Sequence, residues 1–254
     1  MDFAEALRGR RTRRKLSQLE LAVRAGTTQR HLSFLESGRS TPGRAMVIRL
    51  TESLDLPLRD RNDLLLAAGF APAYPETPLD HDGLRPVHAA LDHILAGHLP
   101  YPAIIVDRRG ELIGANTAFD LLTEGAAEEL LRPPVNVYRL ALSPHGLAPR
   151  IINLDQWARH ILNRLDQEHL TELHAELSGY VRPAVVPTGH LGFAAPLHLR
   201  TRRGELRLLT TVTTFATALD VTLAELKLEA FLPADAATAR ALTGEHGTPA
   251  SVGA

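Results

Sequence analysis

Over the first seventy residues, apolar positions recur at intervals of three and four, the spacing of one buried face on an α-helix. The pattern predicts a complete bundle of five helices. Asp2 to Arg14 forms the first, with Phe3 and Leu7 turned inward. The second opens on Ser17 with Glu20 three residues later, the pairing of a capping box, and Leu19, Leu21, Ala22 and Ala25 make its apolar side. Gly26 ends it by accepting a left-handed conformation. Thr27 then caps a third helix, Thr28 to Glu36, with Leu32 and Leu35 inward and Thr28, Gln29, Arg30 and Ser33 outside near its start. Gly38 closes that helix, and Pro42 and Gly43 make the loop after it. Ala45 to Leu54 follows on a stripe of Val47, Leu50 and Leu54; Pro57 suits the first turn of a fifth helix running to Ala68 with Leu64, Leu65 and Leu66.

The pattern then changes. Gly69 to Pro78 holds three prolines and a glycine, with Phe70 and Tyr74 available to dock it, and is read as a semi-rigid joint. A helix over Leu84 to Ala96, striped by Val87, Leu91, Ile94 and Leu95, precedes a β-hairpin over Tyr101 to Asn116 that turns at Asp107-Arg108-Arg109-Gly110. Asn116 is expected to cap the next helix, which carries Ala118, Phe119, Leu121 and Leu122. Another helix starts near Asp155. A second hairpin spans Pro196 to Phe215, turning at Thr201-Arg202-Arg203-Gly204; the repeated Arg-Arg-Gly-Glu-Leu is reused turn chemistry, not duplication. Leu226 and Leu228 alternate with Lys227 and Glu229, so Glu225 to Leu232 reads as a last strand with one wet face. Pro233 to Leu242 is a short closing helix, and Gly244 to Ala254 a disordered tail.

Composition sharpens this organisation. Zero cysteines exclude disulfides, thiol catalysis and cysteine-based zinc sites, and agree with a reducing cytoplasm. There is no apolar run of membrane-spanning length, and Asp2 and Glu5 before a basic run do not suit a signal peptide. The net charge of −1 conceals an asymmetry: residues 1–74 hold 13 Lys+Arg against 8 Asp+Glu (+5), the remainder 15 against 21 (−6). A basic front and an acidic back suit a nucleic-acid module joined to something else. Arg8, Arg10, Arg11, Arg13, Arg14 and Lys15 crowd the end of the first helix, where cations suit the helix dipole and can lie beside phosphate.

Ser17-Gln18, Glu20-Leu21-Ala22, Ala25-Gly26, Thr27-Thr28-Gln29, Leu32, Leu35-Glu36 and Gly38 together resemble the Xre/Cro-type helix-turn-helix, which sets its second helix in the DNA major groove. The resemblance implies base-edge reading by Gln29 and Arg30, with Thr28 and Ser33 beside them. It implies phosphate contacts by Gln18 and Arg44, and an internal ion pair between Arg11 and Glu36. Arg39 follows the same helix and is placed with the DNA-facing set. Phe34 departs from the polar residue some members use; it touches a thymine methyl group or packs on a partner.

Strand, Asp-x-x-Gly turn, strand, Asn, helix is similar to the opening of a PAS domain, a curved sheet whose helices enclose a small-molecule cavity. Leu130-Leu131-Arg132-Pro133-Pro134-Val135-Asn136-Val137, Gly146 to Leu154, Trp157, Asp220-Val221-Thr222-Leu223 and Phe231-Leu232-Pro233-Ala234-Asp235, with Leu64 to Pro72, resemble MmyB-like bacterial regulators. The implied fold class is α + α/β in two domains. An all-α five-helix bundle spans 1–72, a joint 73–80, and an α+β PAS-like ligand-binding and dimerisation domain with an antiparallel sheet and a helical insert 81–243.

The resemblance also implies a cytoplasmic one-component regulator, a homodimer on a two-fold double-stranded DNA operator. Its ligand would be a small apolar or amphipathic molecule, a fatty acid or acyl derivative, with no membrane partner. Trp157 and Ile161 share one helix face with His160 close by, and Arg150 precedes that helix as a candidate carboxylate anchor. Phe119 and Phe215 are further candidate walls. The alternative for Trp157, Ile161, Phe119 and Phe215 is plain core, for His160 the surface, and for Arg150 a pair with Asp155 or Glu176. An enzyme finds no nucleophile elbow, phosphate loop or dinucleotide fingerprint here, and His93/His98 and His169/His174, five apart, do not stack on one helix face. No catalytic residue, cofactor or metal is expected. A third reading is a DNA-bound adaptor whose second domain only dimerises or recruits a protein.

Overall fold

A computed structural model describes residues 2–181, 196–215 and 217–244. Apart from Gly244, the tail expected over 244–254 lies outside the described residues. Two compact units emerge, Met1–Leu79 with Phe215–Ala224, and Asp80–Thr214 with Glu225–Ala254.

The first unit holds five helices, α1 (Phe3–Arg13), α2 (Gln18–Arg24), α3 (Gln29–Glu36), α4 (Arg44–Ser53) and α5 (Leu58–Ala67). Phe3, Leu7, Leu21, Leu32, Leu35, Val47, Leu50, Leu54, Leu64 and Leu65 close one core, as the apolar spacing predicts. Two expected core residues are instead in water: Leu19 is 55% exposed and Leu66 57%. Each sits one position off a stripe that its neighbours Leu21, Ala22, Leu64 and Leu65 already fill, and a single step along a helix turns a side chain through a large angle. The cap of α3 is Thr28, not Thr27; the Thr28 hydroxyl accepts from His31 N, while the Thr27 hydroxyl meets His31 Nδ1 at 2.9 Å.

The joint is held by side chains. Asn62 Oδ1 accepts from Ala73 N and Tyr74 N, Asn62 Nδ2 donates to Tyr74 O, and the Arg61 guanidinium lies over the Tyr74 ring. Asp220 belongs to this unit too, accepting from Thr77 N at 3.1 Å and from the Thr77 hydroxyl at 2.6 Å.

In the second unit, α6 (Arg85–Gly97) leads to β1 (Ala103–Val106) and β2 (Leu112–Ala115), then α7 (Asp120–Thr123), α8 (Val137–Leu142), α9 (Leu154–Gln167) and α10 (Thr171–Ser178). β3 (Leu197–Thr201) and β4 (Gly204–Thr214) form the second hairpin, and β5 (Lys227–Pro233) and α12 (Ala236–Thr243) follow it; between them α11 (Val221–Glu225) falls, but for Glu225, with the first unit. The sheet is antiparallel in the order β2-β1-β5-β4-β3, so the last strand lies in its middle. Burial along that strand overturns the expected wet face. Leu228, Glu229, Ala230 and Phe231 are all buried, so both faces of β5 are covered, although its neighbour β4 keeps Arg207, Leu209, Thr211 and Thr213 exposed on one side.

Asn116 also departs from expectation. Its side chain makes no cap; Oδ1 accepts from Ala103 N while Nδ2 donates to Leu95 O and Tyr101 O, tying α6 to both strands of the first hairpin.

Candidate functional site

The helix-turn-helix face is built by local rules. Ser17 Oγ accepts from Glu20 N at 3.1 Å and Glu20 Oε2 accepts from Ser17 N at 2.7 Å, so two otherwise free amides at the start of α2 are satisfied. The same contacts hold the Glu20 carboxyl below its ordinary range. Gly26 (φ 60°) and Gly38 (φ 71°) take the left-handed conformations that end α2 and α3.

Behind that face lies a finished ion pair. Arg11 Nε and Nη2 donate to the two Glu36 oxygens at 2.6 and 2.9 Å, and Arg11 Nη1 donates to Leu16 O at 2.6 Å. Gln18 Nε2 donates to Glu36 as well, at 2.8 Å. Hydrogen bonding to Glu36 raises the Arg11 pKa against the opposing effect of burial. The half-buried Gln18 side chain thus uses one of its two N–H donors inside the fold.

Thr28, Gln29, Arg30, Arg39 and Arg44 are exposed, Ser33 and Phe34 half-buried. The Arg30 guanidinium carbon sits 5.4 Å from the Phe34 ring centroid, a cation–π contact that orients the arginine at the leading end of α3. Phe34 thus packs on Arg30 within this helix. The basic crowd at the end of α1 is only partly outward: Arg10 pairs with Asp60 at 2.8 Å, Arg11 is the buried partner of Glu36, and Arg14 donates to Asp55 O. Arg8, Arg13 and Lys15 stay exposed.

The second unit encloses a cavity of about 50 Å³. Its walls are chiefly apolar, with Ile104, Phe119, Leu122, Leu140, Leu147 and Phe231 among them. α9 brings in Trp157, His160, Ile161 and Arg164, positions three and four apart that share one helix face. From the sheet come Thr210 on β4 and Glu229 and Phe231 on β5; Thr210 is the register partner of Phe231, and Glu229, two residues along, faces the same side.

Tyr138 enters through the first hairpin. Asp107 Oδ1 accepts from Arg109 N and Glu111 N, and Asn136 Nδ2 donates to Arg109 O while Asn136 Oδ1 caps α8. This clasp seats the Tyr138 ring against Gly110, where a Cβ would lie 2.3 Å from the ring and φ is +78°. Only glycine satisfies both the turn and the close approach.

The polar end of the cavity is unfinished. Arg164 Nη2 and Glu229 Oε1 are 2.6 Å apart, yet the N–H is not aimed along that line and neither atom makes an aligned hydrogen bond. The Tyr138 hydroxyl and Thr210 Oγ1 are buried without a hydrogen-bond partner. Six such side-chain atoms occur among the described residues and four of them line this one cavity, so the deficit is local. Burial pushes the Tyr138 phenol well above its ordinary pKa, keeping it a neutral hydroxyl. The His160 pKa is lowered, by burial first and by Arg164 second, which favours neutral imidazole, although the side chain also reaches solvent.

Of the residues expected at a ligand site, the fold brings Phe119, Trp157, His160 and Ile161 to the cavity. Arg150 and Phe215 are not among its lining residues. Arg150 donates to Leu122 O and lies on a shallow surface hollow with His145 and Gly146, and neither Asp155 nor Glu176 pairs with it; Glu176 holds Arg139 at 2.7 Å. Phe215 falls with the first unit. Tyr138, Arg164, Thr210 and Glu229 were not anticipated. The usable signals were a charge within the apolar run Leu228 to Phe231, and an arginine seven residues beyond Trp157 on its helix face. Among the described residues no group of three or more metal-ligating side chains is placed to hold an ion, and no helix is long and apolar enough to cross a membrane.

Comparison with known proteins agrees with this division. A helix-turn-helix model matches residues 7–60, and the model of the MmyB-like transcription regulator ligand binding domain matches residues 87–243. An uncharacterized HTH-type transcriptional regulator y4dL of Sinorhizobium fredii (strain NBRC 101917 / NGR234) is 39% identical over 56 residues, 22% of this chain and 29% of that protein's length. A solved structure of an RNA-binding light-oxygen-voltage receptor is 15% identical with a TM-score of 0.28, over 89% of this chain and 56% of that one, a likeness too weak to carry an argument. With its ligand-binding-domain model matched over more than half the length, downstream of a helix-turn-helix, the chain belongs to the family of MmyB-like transcription regulators.

Proposed function

We propose that this chain is a one-component transcription regulator: α3 reads an operator, and occupation of the cavity by a small apolar or amphipathic molecule alters that binding. The observation that carries the reading is one chain holding both an exposed, capped recognition helix and a cavity with apolar walls and four polar atoms that make no hydrogen bond, two of them a misaligned ion pair. Ligand sites combine apolar walls with few, convergent polar groups in this way. Gln29 and Arg30 contact base edges, with Thr28 and Ser33 beside them; Gln18, Arg39 and Arg44 contact the phosphate backbone. The protein acts as a homodimer on a two-fold site, its recognition helices about one helical turn of DNA apart. A fatty acid or another acyl compound favours one dimer arrangement over the other by its differential affinity.

The test is fluorescence anisotropy on the selected operator and on random DNA. Replacing Gln29 and Arg30 by Ala should weaken operator binding far more than random-DNA binding, and equal loss on both would remove base reading. Arg44→Ala should weaken both and reduce the salt dependence.

One observation favours a second reading. A cavity of about 50 Å³ is well below the roughly 300–1,000 Å³ usual for ligand pockets, as an adaptor whose second unit only dimerises or recruits a protein would have. Native against denaturing mass of the purified protein separates the two: a mass excess lost on denaturation supports the sensor, and also reports the oligomer.

A further inference from the structure

The polar end of the cavity carries a charge balance that constrains what enters it. Arg164 and Glu229 contribute one charge of each sign, their side chains 15% and 7% exposed. The Tyr138 and Thr210 hydroxyls are uncharged, and the nearby Glu168 is already matched by Lys227. Among these groups no charge is left over to neutralise an incoming ion. A carboxylate would place a second negative charge beside Glu229 with a single guanidinium between them, and an ammonium would do the converse to Arg164. Either leaves an uncompensated charge in a largely desolvated space. Yet the site is not satisfied. Glu229 Oε1 lacks an aligned donor, Arg164 Nη2 lacks an aligned acceptor, and two hydroxyls have no partner. A hydroxyl, with one donor and two acceptor sites, meets up to three of these four needs without adding charge.

We infer that the cavity selects a neutral amphiphile, an apolar body ending in a hydroxyl that donates to Glu229 and accepts from Arg164 or Tyr138, over the ionised acid or amine of the same length. This deepens the sensor reading and rests on it. It also separates the proposed fatty-acid-like class into its charged and uncharged members. The Arg164 guanidinium, 5.5 Å from the Tyr138 ring centroid, is held between that ring and Glu229 and is not free to swing out to an anion. Admission of any such molecule widens the present cavity, and the side chain placed to yield is His160, which reaches solvent and lies tilted with its ring 5.3 Å from that of Trp157.

The protein carries its own reporter, because Trp157 is its one tryptophan and lines the cavity. The full chain is titrated at neutral pH with octanol, octanoate and octylamine while Trp157 emission is followed. Octanol should saturate at a concentration at least about tenfold below either ion, the scale of a single charge-assisted hydrogen bond. Octanoate binding as tightly as octanol, or tighter, overturns the head-group inference and leaves the sensor reading standing. No saturable response to any of the three overturns both.

Glu229→Gln supplies the reciprocal result: octanoate should gain about tenfold, since Arg164 is then free to take the carboxylate, while octanol weakens about threefold as its acceptor falls from a carboxylate to a neutral amide. Far-UV circular dichroism checks that this variant folds. Tyr138→Phe, which keeps the ring and removes only the hydroxyl, should weaken octanol about threefold and leave octanoate unmoved; the opposite ranking counts against the inference.

Discussion

Each unit buries an arginine against a glutamate, and the two pairs are built to different standards. In the helical bundle, Arg11 meets Glu36 through two aligned hydrogen bonds, with Leu16 O and Gln18 satisfying further atoms. In the second unit, Arg164 approaches Glu229 to 2.6 Å without alignment, beside two hydroxyls that have no partner. A charged pair stabilises only when alignment and extra hydrogen bonds offset the cost of leaving water. The first meets that condition and works as a clamp beneath α2 and α3, holding the recognition helix at a fixed pose. The second does not meet it within the chain. Polar atoms held unsatisfied against an apolar wall are a standing cost to stability, one that a bound hydroxyl would reduce.

The contrast is open to direct attack. The largest effect should come from Glu36→Ala, which strands Arg11 and should cost the helical unit about 3–5 kcal/mol, read as a lower midpoint in chemical denaturation with operator binding abolished alongside. Gly110→Ala should follow at about 2–3 kcal/mol, because the left-handed turn and the Tyr138 ring both resist a Cβ. The damage should appear in Trp157 emission while DNA affinity of the helical unit holds. Replacing both cavity charges, Arg164→Met with Glu229→Leu, should leave stability within about 1 kcal/mol of the parent or raise it, whereas the same treatment of Arg11 and Glu36 should not be neutral. A large destabilisation of the cavity double variant would mean that its pair is as finished as the other. Tyr138→Phe should gain about 0.5–1 kcal/mol, by removing a buried hydroxyl that has nothing to bond.

The smallest effect belongs to Glu20. Its carboxyl titrates below the ordinary 4.5 because Ser17 donates to the charged form. The cap is therefore intact above that value and is lost as pH falls through the folded-state pKa. Acid titration of Glu20→Gln should lack that increment and be otherwise superimposable.

What could be read in advance divides along the same line. The capping box at Ser17 and Glu20, the left-handed Gly26 and Gly38 and the Asp107–Gly110 turn are local arrangements, complete within a few residues, and sequence order displays them directly. Asn116 shows the limit of that logic. An asparagine before a helical run looks like a cap from either side, and only the folded chain shows its amide tying Leu95, Tyr101 and Ala103 together. Glu229 is the sharper case. Alternation along Leu226 to Glu229 matches a half-wet strand, but whether the second face is covered depends on elements elsewhere in the chain. The cavity's polar end was illegible for that reason: Tyr138, Arg164, Thr210 and Glu229 come from four separate elements and meet only through tertiary pairing.

The position of β5 has a further consequence, in the order of events during synthesis. Its hydrogen bonds run to β1 on one side and β4 on the other, so the sheet stays split until residues 227–233 leave the ribosome. The five-helix core needs nothing beyond Phe70. At roughly 5–20 residues per second, the delay between the two is on the order of ten to thirty seconds. Nascent chains arrested short of β5 should accordingly show a protease-resistant helical module followed by a digestible remainder, and resistance of that remainder would refute the sequence of events. For that interval the chain has its helix-turn-helix core assembled while its cavity still lacks the wall that β5 supplies.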